Sequence, residues 1–329
     1  MQKLRGAGAV GCLLGSLIVV SAVARAEPVV IRVGWTMPGE DSKYWMMHRP
    51  QLFPELGKQY KIEWSQFQGT APMAQAMLAG ALDCSTQGVL SIAQATIRGK
   101  LESYIVAQHL GENPNSFSVY WAVKNDSPIK SVSDLKGKTI GTNVLGGGLY
   151  GQFAMVLQAH GVDPKKDIRM VETGFPGSEA AIRAGQIDAG VMVQPFAARA
   201  EEKGGLRKLF SISEALPTSV QIVEACRKEF VDKHPEAARR YVRDLTLAMN
   251  KALADRNESI KITSEVTKLP VPLLETFLMT SNDQARGPGA KPDFKGIQDM
   301  LDIYSKTGMI PEKLDASKFK HSTIVAPIE

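Results

Sequence analysis

The sequence predicts an α/β protein made of two similar lobes. Three observations indicate this: β-branched runs alternate with apolar helical segments, an Ala-Gly-x-x-Asp pattern occurs twice, and two polar stretches interrupt the alternation. Alternating strands and helices are typical of a largely parallel sheet with helices on its faces. A chain of this length also favours two lobes over a single core.

Strands and helices are expected in alternation along the first lobe. The helix after the second strand is expected to have Thr70 as its cap and to end at Gly80. The predicted strands are 29–35, 60–67, 81–86 and 104–108, and the predicted helices are 44–56, 73–79 and 89–98. Pro50 and Pro54 are expected to interrupt the first of these helices.

The remainder of the chain is predicted to begin a second lobe and then to become mainly helical. Strands are expected at 117–123, 138–144 and 220–225, a helical turn at 131–135, and helices at 152–160, 197–203, 234–256, 272–279 and 294–307. The polar stretches 111–116 and 217–219 are the expected junctions. The long helix from 234 is amphipathic, which indicates that one face is buried.

An internal repeat supports two equivalent lobes. The segment 76–83 resembles 181–188 at an offset of 105 (181 − 76), and the strand pair 33–34 resembles 140–141 at 107 (140 − 33). Nearly equal spacing of two corresponding elements is stronger evidence for a repeat than either match alone. Ligand-facing loops are therefore expected at the carboxyl ends of equivalent strands.

The N-terminal stretch has the pattern of a secretory signal peptide. Lys3 and Arg5 precede an apolar run at 7–23, and a small-x-small site predicts cleavage after Ala26. The run is short for a membrane anchor, and Cys12 fits a lipoprotein signal only loosely. Cleavage would leave 303 residues (329 − 26) and would lower the formal charge from +5 to +2, because it removes three basic residues and no acid.

The mature chain offers no pattern typical of nucleic acid binding, a metal site or catalysis. No basic block favours nucleic acid, and the five histidines are scattered without metal-ligand spacing. Two S-x-x-K patterns, at 127–130 and 133–136, lack the partner motifs of acylating serines and are interpreted as turns. We expect no cofactor, no metal, no enzymatic activity and a monomer. Cys84 and Cys226 are expected to be buried free thiols, with a disulfide as the alternative.

A glycine-rich turn at 146–151 is the strongest candidate for a ligand site. It lies between the strand 138–144 and the helix 152–160, so its backbone N–H groups and the positive end of the helix dipole are expected to favour an anion. The turn also satisfies GxGxxG, with Glu172 placed 21 residues on (172 − 151). A dinucleotide site is the less favoured alternative, because three consecutive glycines meet this pattern easily. A tight turn without a ligand is the other alternative.

Several blocks, in this order, resemble a known family. They are Gly34-Trp35, the segments 79–83 and 123–138, then 184–189, 194–196 and 230–235. Together they resemble the periplasmic substrate-binding proteins of ABC importers for alkanesulfonates, taurine, nitrate and thiamine-pyrimidine precursors. The resemblance covers nearly the whole mature chain, and the block 123–138 is its most specific part.

The resemblance implies a two-lobed periplasmic binding protein fold (type II), with two mixed sheets flanked by helices and a ligand cleft between the lobes. Lobe I would comprise 27–112 and 217–329, and lobe II 113–216, with hinges near 111–117 and 213–219. The family's anion site lies at the helix that follows the first strand of lobe II. Relatives more often carry Ser or Thr there, whereas this chain has glycines, so backbone N–H groups are the expected donors.

The expected function is the periplasmic solute-binding component of an ABC importer. It would capture a small organic anion, a carboxylate or a sulfonate, and would deliver it to an inner-membrane permease. Two alternatives are an enzyme on the same fold, related to pyrimidine synthases, and a receptor module for a membrane sensor. The predicted ligand-binding residues fall into three groups: anion donors Gly147, Gly148, Leu149 and Tyr150; further polar contacts Thr70, Gln87, Gly88 and Gln194; and the apolar wall Trp35, Met37, Tyr44, Phe175 and Phe196.

Overall fold

A computed structural model describes residues 27–37, 39–322 and 324. The predicted signal peptide, residues 1–26 with Cys12, lies outside the described residues. Within the described ranges, no helix is both long enough and apolar enough to cross a membrane.

The first sheet contains five strands in the order β2-β1-β3-β10-β4. The strands are β1 (Val29–Trp35), β2 (Tyr60–Gln66), β3 (Cys84–Gln87), β4 (Ser103–Glu112) and β10 (Ser219–Arg227). The first three run parallel, and β10 runs antiparallel to both β3 and β4. This sheet is therefore mixed, as the family resemblance implies.

The second sheet repeats this arrangement, in the order β7-β6-β8-β5-β9. Its strands are β5 (Tyr120–Lys124), β6 (Thr139–Thr142), β7 (Arg169–Glu172), β8 (Ala189–Met192) and β9 (Leu206–Ser211). Again three strands are parallel, and the fourth in the order is antiparallel to its neighbours. The equivalent strands β3 and β8 begin 105 residues apart (189 − 84), which confirms the repeat predicted from the sequence.

The chain passes between the sheets twice. It leaves the first sheet after Glu112 and enters the second at Tyr120, then leaves the second after Ser211 and returns at Ser219. The stretches 111–117 and 213–219, predicted as hinges, overlap most of these two passages. All of the second sheet is thus inserted between β4 and β10 of the first.

Eleven α-helices occur within the described residues. They are α1 (Asp41–His48), α2 (Thr70–Leu78), α3 (Val89–Gly99), α4 (Gly148–Ala159), α5 (Gly174–Arg183), α6 (Phe196–Lys203), α7 (Lys228–Lys233), α8 (Pro235–Ala254), α9 (Arg256–Thr267), α10 (Val271–Phe277) and α11 (Phe294–Lys306). Helix α1 begins at Asp41, three residues before the predicted start, and it ends before Pro50, which confirms the expected interruption. The sequence reasoning also missed α9, which Asp255 caps by accepting a hydrogen bond from the N–H of Glu258.

Cys84 and Cys226 form a disulfide, so the expectation of free thiols is wrong. The two residues are direct partners in the antiparallel pair of β3 and β10, and both are fully buried. They lie 142 residues apart in the chain. Sequence reasoning gave the bond only as the alternative, because nothing local reveals that β10 returns to pair with β3.

A buried charge cluster fixes the loop that leaves β1. The ammonium of Lys43 lies 2.8 Å from Glu224 and 3.1 Å from Glu40, and it donates to the hydroxyl of Thr86 at 2.5 Å. Glu40 in turn accepts from the N–H of Thr36 at 2.8 Å. Because buried charges require such compensation, these contacts hold Thr36 and Glu40 at the end of the first sheet.

An aromatic stack fixes α4 against the second sheet. The ring of Trp121, on β5, stacks on Phe153 of α4 at 4.4 Å and on Phe210 of β9 at 5.5 Å. The indole N–H of Trp121 donates to the carbonyl of Gly141, on β6, at 3.1 Å. The end of β6 and the start of α4, which enclose the glycine turn, are therefore positioned by buried contacts.

Candidate ligand-binding site

A cavity of about 40 Å³ lies where loops of the two sheets meet. From the side of the first sheet it is lined by residues that follow β1, precede α2 and α3, or lie on β10. From the second sheet it is lined by residues that follow β6 and β8 and by the starts of α4 and α5. The lining residues are Thr36, Met37, Gly69, Thr70, Gly88, Asn143, Gly148, Leu149, Phe175, Val193, Gln221, Ile222 and Gln284. None of these residues is charged, so the cavity offers only dipoles and apolar contacts.

The glycine turn presents free backbone donors to this cavity. α4 begins at Gly148, four residues before the predicted start, and Gly146 has a φ of +76°, a conformation that glycine adopts without strain. The N–H groups of Leu149 and Tyr150 lie in the first helical turn, where no intrahelical acceptor exists. Neither N–H has an acceptor among the described residues. Two donors and the positive helix end are thus available to an anion.

Thr70 reaches the glycine turn from the opposite sheet. The sequence analysis expected Thr70 to cap α2, but the cap position is held by Gly69, and Thr70 is the first helical residue. Its hydroxyl oxygen accepts from the N–H of Gly148 at 3.4 Å. This long hydrogen bond joins α2 of the first sheet to α4 of the second, and the hydroxyl stands at the edge of the cavity.

Gly88 and Gly148 touch across the cleft. A Cβ atom built on Gly88 would lie 2.6 Å from the Cα and 2.9 Å from the nitrogen of Gly148. Real Cβ atoms do not approach backbone this closely, so a side chain at position 88 would push the loops apart. Close contact between the two sides therefore depends on glycine at both positions.

Asn143 supplies a buried amide that has no partner. It follows β6, lines the cavity and is only 7% exposed, and its Oδ1 atom has no hydrogen bond among the described residues. An unpaired buried polar atom costs about 1–3 kcal/mol, so the site is incomplete as it stands. A ligand group that donates a hydrogen bond would satisfy this oxygen. The sequence does contain a signal for Asn143, because it is a polar residue between the strand and the glycine turn. The sequence analysis did not use this signal.

Phe175 forms one apolar wall, supported by Phe196. The two rings are stacked 6.5 Å apart with 16° between their planes, and the guanidinium of Arg199 lies 5.5 Å from the Phe196 ring. Phe175 lines the cavity, whereas Phe196 does not and contacts it only through Phe175 in this stack. Phe196 thus acts on the cavity by positioning Phe175.

The structure places several predicted residues away from the cavity. Gln87 is fully buried, and its amide donates to Ser85 at 2.7 Å and accepts from Ser91 at 3.2 Å, so it has no free group for a ligand. Trp35 packs edge-on against Tyr44 at 6.0 Å. The lining of this cavity therefore does not include the predicted residues Trp35, Tyr44, Gln87, Gly147, Tyr150, Gln194 and Phe196.

Gln194 instead forms a contact between the two sides of the cleft. Its Nε2 donates to the carbonyl of Asn282 at 3.0 Å, and its Oε1 accepts from the N–H of Ala198 at 3.1 Å. Gln194 follows β8 of the second sheet, whereas Asn282 precedes the C-terminal segment that covers the first. The hydrogen bond of Gln194 is thus a second polar contact across the cleft, in addition to the one between Thr70 and Gly148.

Gln221 joins the cavity to the passages between the sheets. Its amide donates to Glu112 at 2.9 Å, and the same carboxylate accepts from the hydroxyl of Ser118 at 2.7 Å and from the N–H of Val119 at 3.0 Å. Burial raises the pKa of Glu112 to about 7, against the opposing effect of these hydrogen bonds. The hydroxyl of Ser118 also accepts from the N–H of Ser213, on the second passage. Glu112 therefore ties both passages to the wall of the cavity.

Seven lining residues were missed by the sequence analysis. They are Thr36, Gly69, Asn143, Val193, Gln221, Ile222 and Gln284. Thr36, Gly69 and Val193 directly neighbour predicted positions, and Asn143 follows β6. Gln221, Ile222 and Gln284 come from the returning part of the chain. Within the described residues, no group of three or more His, Cys, Asp or Glu side chains is placed to hold a metal ion.

Residues 24–267 match the NMT1-like family, which is most of the chain. The chain belongs to that family. A putative aliphatic sulfonates-binding protein of Escherichia coli (strain K12) is 22% identical over 304 residues, which cover 91% of each chain.

Solved structures confirm the predicted fold. The alkanesulfonate-binding protein SsuA from Xanthomonas axonopodis pv. citri bound to MOPS matches with a TM-score of 0.73 at 23% identity, over 89% of this chain and 98% of that one. The desulfurization enzyme DSZB matches with a TM-score of 0.62 at 11% identity, over 90% and 97%. The chain has the two-lobed periplasmic binding protein fold, and this fold occurs in both binding proteins and an enzyme.

Proposed function

We propose that this protein is the solute-binding component of an ABC importer and that it captures a small organic anion between its lobes. The observation that carries the proposal is the free N-terminus of α4, whose unpaired N–H groups border a cavity lined from both sheets. Family membership and the names of two similar proteins, which specify sulfonate binding, support it.

Binding would rely on neutral donors. Leu149, Thr70 and Asn143 line the cavity and offer a backbone N–H, a hydroxyl and an amide Nδ2 group, and Met37, Phe175 and other apolar side chains complete the lining. A singly charged headgroup such as a carboxylate or a sulfonate suits such a site, because helix-end dipoles compensate one charge without a buried cation. The uncharged lining supports a ligand that carries an apolar part.

The two parts of the chain would act as lobes that close on the ligand. Lobe I would comprise 27–112 and 217–329, and lobe II 113–216, with bending at 111–117 and 213–219. The contacts of Thr70 with Gly148 and of Gln194 with Asn282 would form on closure. The permease would recognise the closed form.

The protein would act in the periplasm as a monomer, after cleavage behind Ala26. An inner-membrane permease would be its partner, and no chemical change of the ligand is proposed. Recovery of the ligand in unaltered form after prolonged incubation would separate this role from that of an enzyme. Genes for a permease and an ATPase beside the coding sequence would separate it from that of a membrane sensor.

Calorimetry with a panel of alkyl and aryl carboxylates and sulfonates tests the proposal. We expect at least one ligand to bind with a micromolar or lower dissociation constant, about −8 kcal/mol. Thr70→Val should weaken that binding about tenfold by removing one charge-assisted hydrogen bond, whereas Thr70→Ser should retain it. A flat response across the panel, together with no ligand released from the purified protein on denaturation, would overturn the proposal.

A further inference from the structure

The segment 282–286 joins the two sides of the cleft. At one end, the carbonyl of Asn282 accepts a hydrogen bond of 3.0 Å from the Nε2 of Gln194, which follows β8 of the second sheet. At the other end, the guanidinium of Arg286 bonds at 2.5 Å to Asp41, which begins α1 on the side of the first sheet. We call residues 282–286 the bridging segment.

The backbone of the bridging segment is paired with the first passage between the sheets. Gly111 and Ala285 exchange two hydrogen bonds, of 2.9 Å from the N–H of Gly111 and 2.8 Å from the N–H of Ala285. The N–H of Phe117 donates to the carbonyl of Asp283 at 3.0 Å. Both ends of the stretch 111–117, predicted as a hinge, are thus bonded to the segment. Bending of this stretch would have to move the segment or break these bonds.

Gln284, in the middle of the bridging segment, lines the ligand cavity and is only 8% exposed. Its backbone is engaged: the N–H donates to Asp283 at 2.8 Å, and the carbonyl accepts from Arg286 at 2.8 Å. Its side-chain amide, by contrast, has no hydrogen bond among the described residues. Because a buried amide without a partner is unfavourable, this side chain would gain from a ligand that offers hydrogen-bonding atoms.

Strained backbone lies on both sides of the bridging segment. Met279 has a φ of +57° and Ala290 a φ of +50°, in the left-handed region that residues other than glycine rarely adopt. They are two of the four such residues within the described ranges. Strained conformations persist only where surrounding contacts hold them, and they occur often in segments that switch position. The contacts of the bridging segment therefore hold it in place against the preference of the flanking backbone.

We propose that the bridging segment is a latch: the side-chain amide of Gln284 binds the ligand and thereby holds the segment where Gln194 can bond to Asn282. This inference rests on the proposed function, since it explains how a ligand in the cavity would stabilise the closed lobes. Only Asp283 separates the residue that contacts the ligand from the residue that contacts the second lobe. A molecule that occupies the cavity without reaching Gln284 would bind but would leave the latch open.

A double-mutant cycle on the mature protein tests the latch, with calorimetry as the measurement. The probe is the tightest-binding sulfonate or carboxylate of the panel described above. Gln284→Met and Gln194→Met each remove an amide and keep the length of the side chain. If Gln194→Met does not fold, Gln194→Glu replaces it, because the carboxylate keeps the acceptor for the N–H of Ala198 and removes the donor to Asn282.

The two changes should not act independently. We expect Gln284→Met alone to weaken binding about tenfold and Gln194→Met alone to weaken it about fivefold, because each loses one hydrogen bond of the closed form. In a protein that already carries Gln284→Met, the loss of Gln194 should cost less than about twofold. The segment is then no longer held where Gln194 can bond to it.

Gln158→Met is the matched control. The Nε2 of Gln158, on α4, donates to the carbonyl of Thr307 at 3.1 Å, so a glutamine again bonds to a backbone carbonyl across the cleft. Thr307 directly follows α11, which packs against β10 of the first sheet. This contact does not involve the bridging segment. Gln158→Met should therefore change the affinity by the same factor with and without Gln284→Met.

The outcomes separate the two proposals. If Gln194→Met costs the same factor in both backgrounds, the two contacts are independent, and the latch is wrong while the proposed function stands. Unchanged affinity in Gln284→Met would also overturn the inference. The amide would then serve another partner, such as the unpaired hydroxyl of Tyr44 in a neighbouring cavity that Gln284 also lines. If no member of the panel binds the unmodified protein, the proposed function fails and the inference fails with it.

Discussion

Gly88 and Gly148 are in such close contact that a Cβ atom on Gly88 would lie only 2.6 Å from the Cα of Gly148. These two glycines therefore set how closely the loops of the two sheets can approach. Gly88 precedes α3 of the first sheet and Gly148 begins α4 of the second. In the proposed mechanism their contact forms only when the lobes are closed. A methyl group at position 88 would therefore oppose closure without disturbing either sheet.

Gly88→Ala should lower ligand affinity by about tenfold or more, because closure would no longer bring the donors of α4 onto the ligand. The backbone of Gly88, with φ −89° and ψ 152°, suits alanine, so the melting temperature of the ligand-free protein should change by only a few degrees. Calorimetry and thermal unfolding measure the two effects.

Gly287→Ala is the control for this experiment. Its backbone angles, φ −90° and ψ 137°, are nearly the same, but a Cβ atom there would have no neighbour within 4 Å. It should bind the ligand like the unmodified protein. Equal affinity of Gly88→Ala and Gly287→Ala would contradict the role assigned to the glycine contact.

Asn143→Asp should reduce anion binding by at least about tenfold. The change keeps the shape of the side chain but places a negative charge beside the anion in a buried site, where like charges repel strongly. Asn143→Leu should also weaken binding, yet it should stabilise the ligand-free protein, because it removes an unpaired buried amide. Tighter binding by Asn143→Asp would show that the group held at this end of the cavity is not an anion.

Glu112 should make stability depend on pH. Its pKa in the folded protein, about 7, is higher than the ordinary value of 4.5. The folded protein therefore holds this proton more tightly than the unfolded chain. The resulting stability is fully present below about pH 4.5, and it is lost as the pH rises through 7.

Denaturation of Glu112→Gln against pH measures this effect. The glutamine can keep the bonds to Val119, Gln221 and Ser118, so we expect the variant to lose the slope between pH 4.5 and 7, on the order of 3 kcal/mol at most. Glu202→Gln, a change at an exposed carboxylate, should retain the slope. If the free energy of unfolding of Glu112→Gln keeps the same slope against pH, the pH dependence comes from other groups.

Reduction of the disulfide between Cys84 and Cys226 should destabilise the protein by about 2–4 kcal/mol, because it releases a long loop in the unfolded chain. Denaturant unfolding with and without a reductant measures the difference. The double variant Cys84→Ala with Cys226→Ala should be insensitive to the reductant. Peptide mapping without reduction should recover the two cysteine peptides joined, and two free thiols would contradict the bond.

Local pattern was sufficient to predict most of the fold. The strand Val29–Trp35 and the helix that begins at Val89 follow from β-branched runs, helical periodicity and glycine punctuation, which are properties of neighbouring residues. The repeat added the equivalence of β3 and β8. Local pattern cannot identify the partner of a strand that returns from far along the chain. For this reason the disulfide was predicted only as the alternative to free thiols.

The candidate site was predictable only in part, for a related reason. Placing a residue at a strand end does not determine where its side chain points: Gln87 turns into the first lobe and bonds to Ser85 and Ser91, whereas Asn143 faces the cavity. Thr70 was correctly selected as a residue of the region, but the expected role as a helix cap was wrong. Gln221 and Gln284 come from segments that no local signal connects with the glycine turn.

The disulfide encloses the whole second sheet in a covalent ring. Every residue from Tyr120 to Ser211 lies between Cys84 and Cys226 in the chain. A single proteolytic cut anywhere in that stretch would open the ring but leave both fragments attached to each other. New chain termini could therefore be engineered into a surface loop of the inserted lobe, since the two halves of the first sheet would remain joined through sulfur.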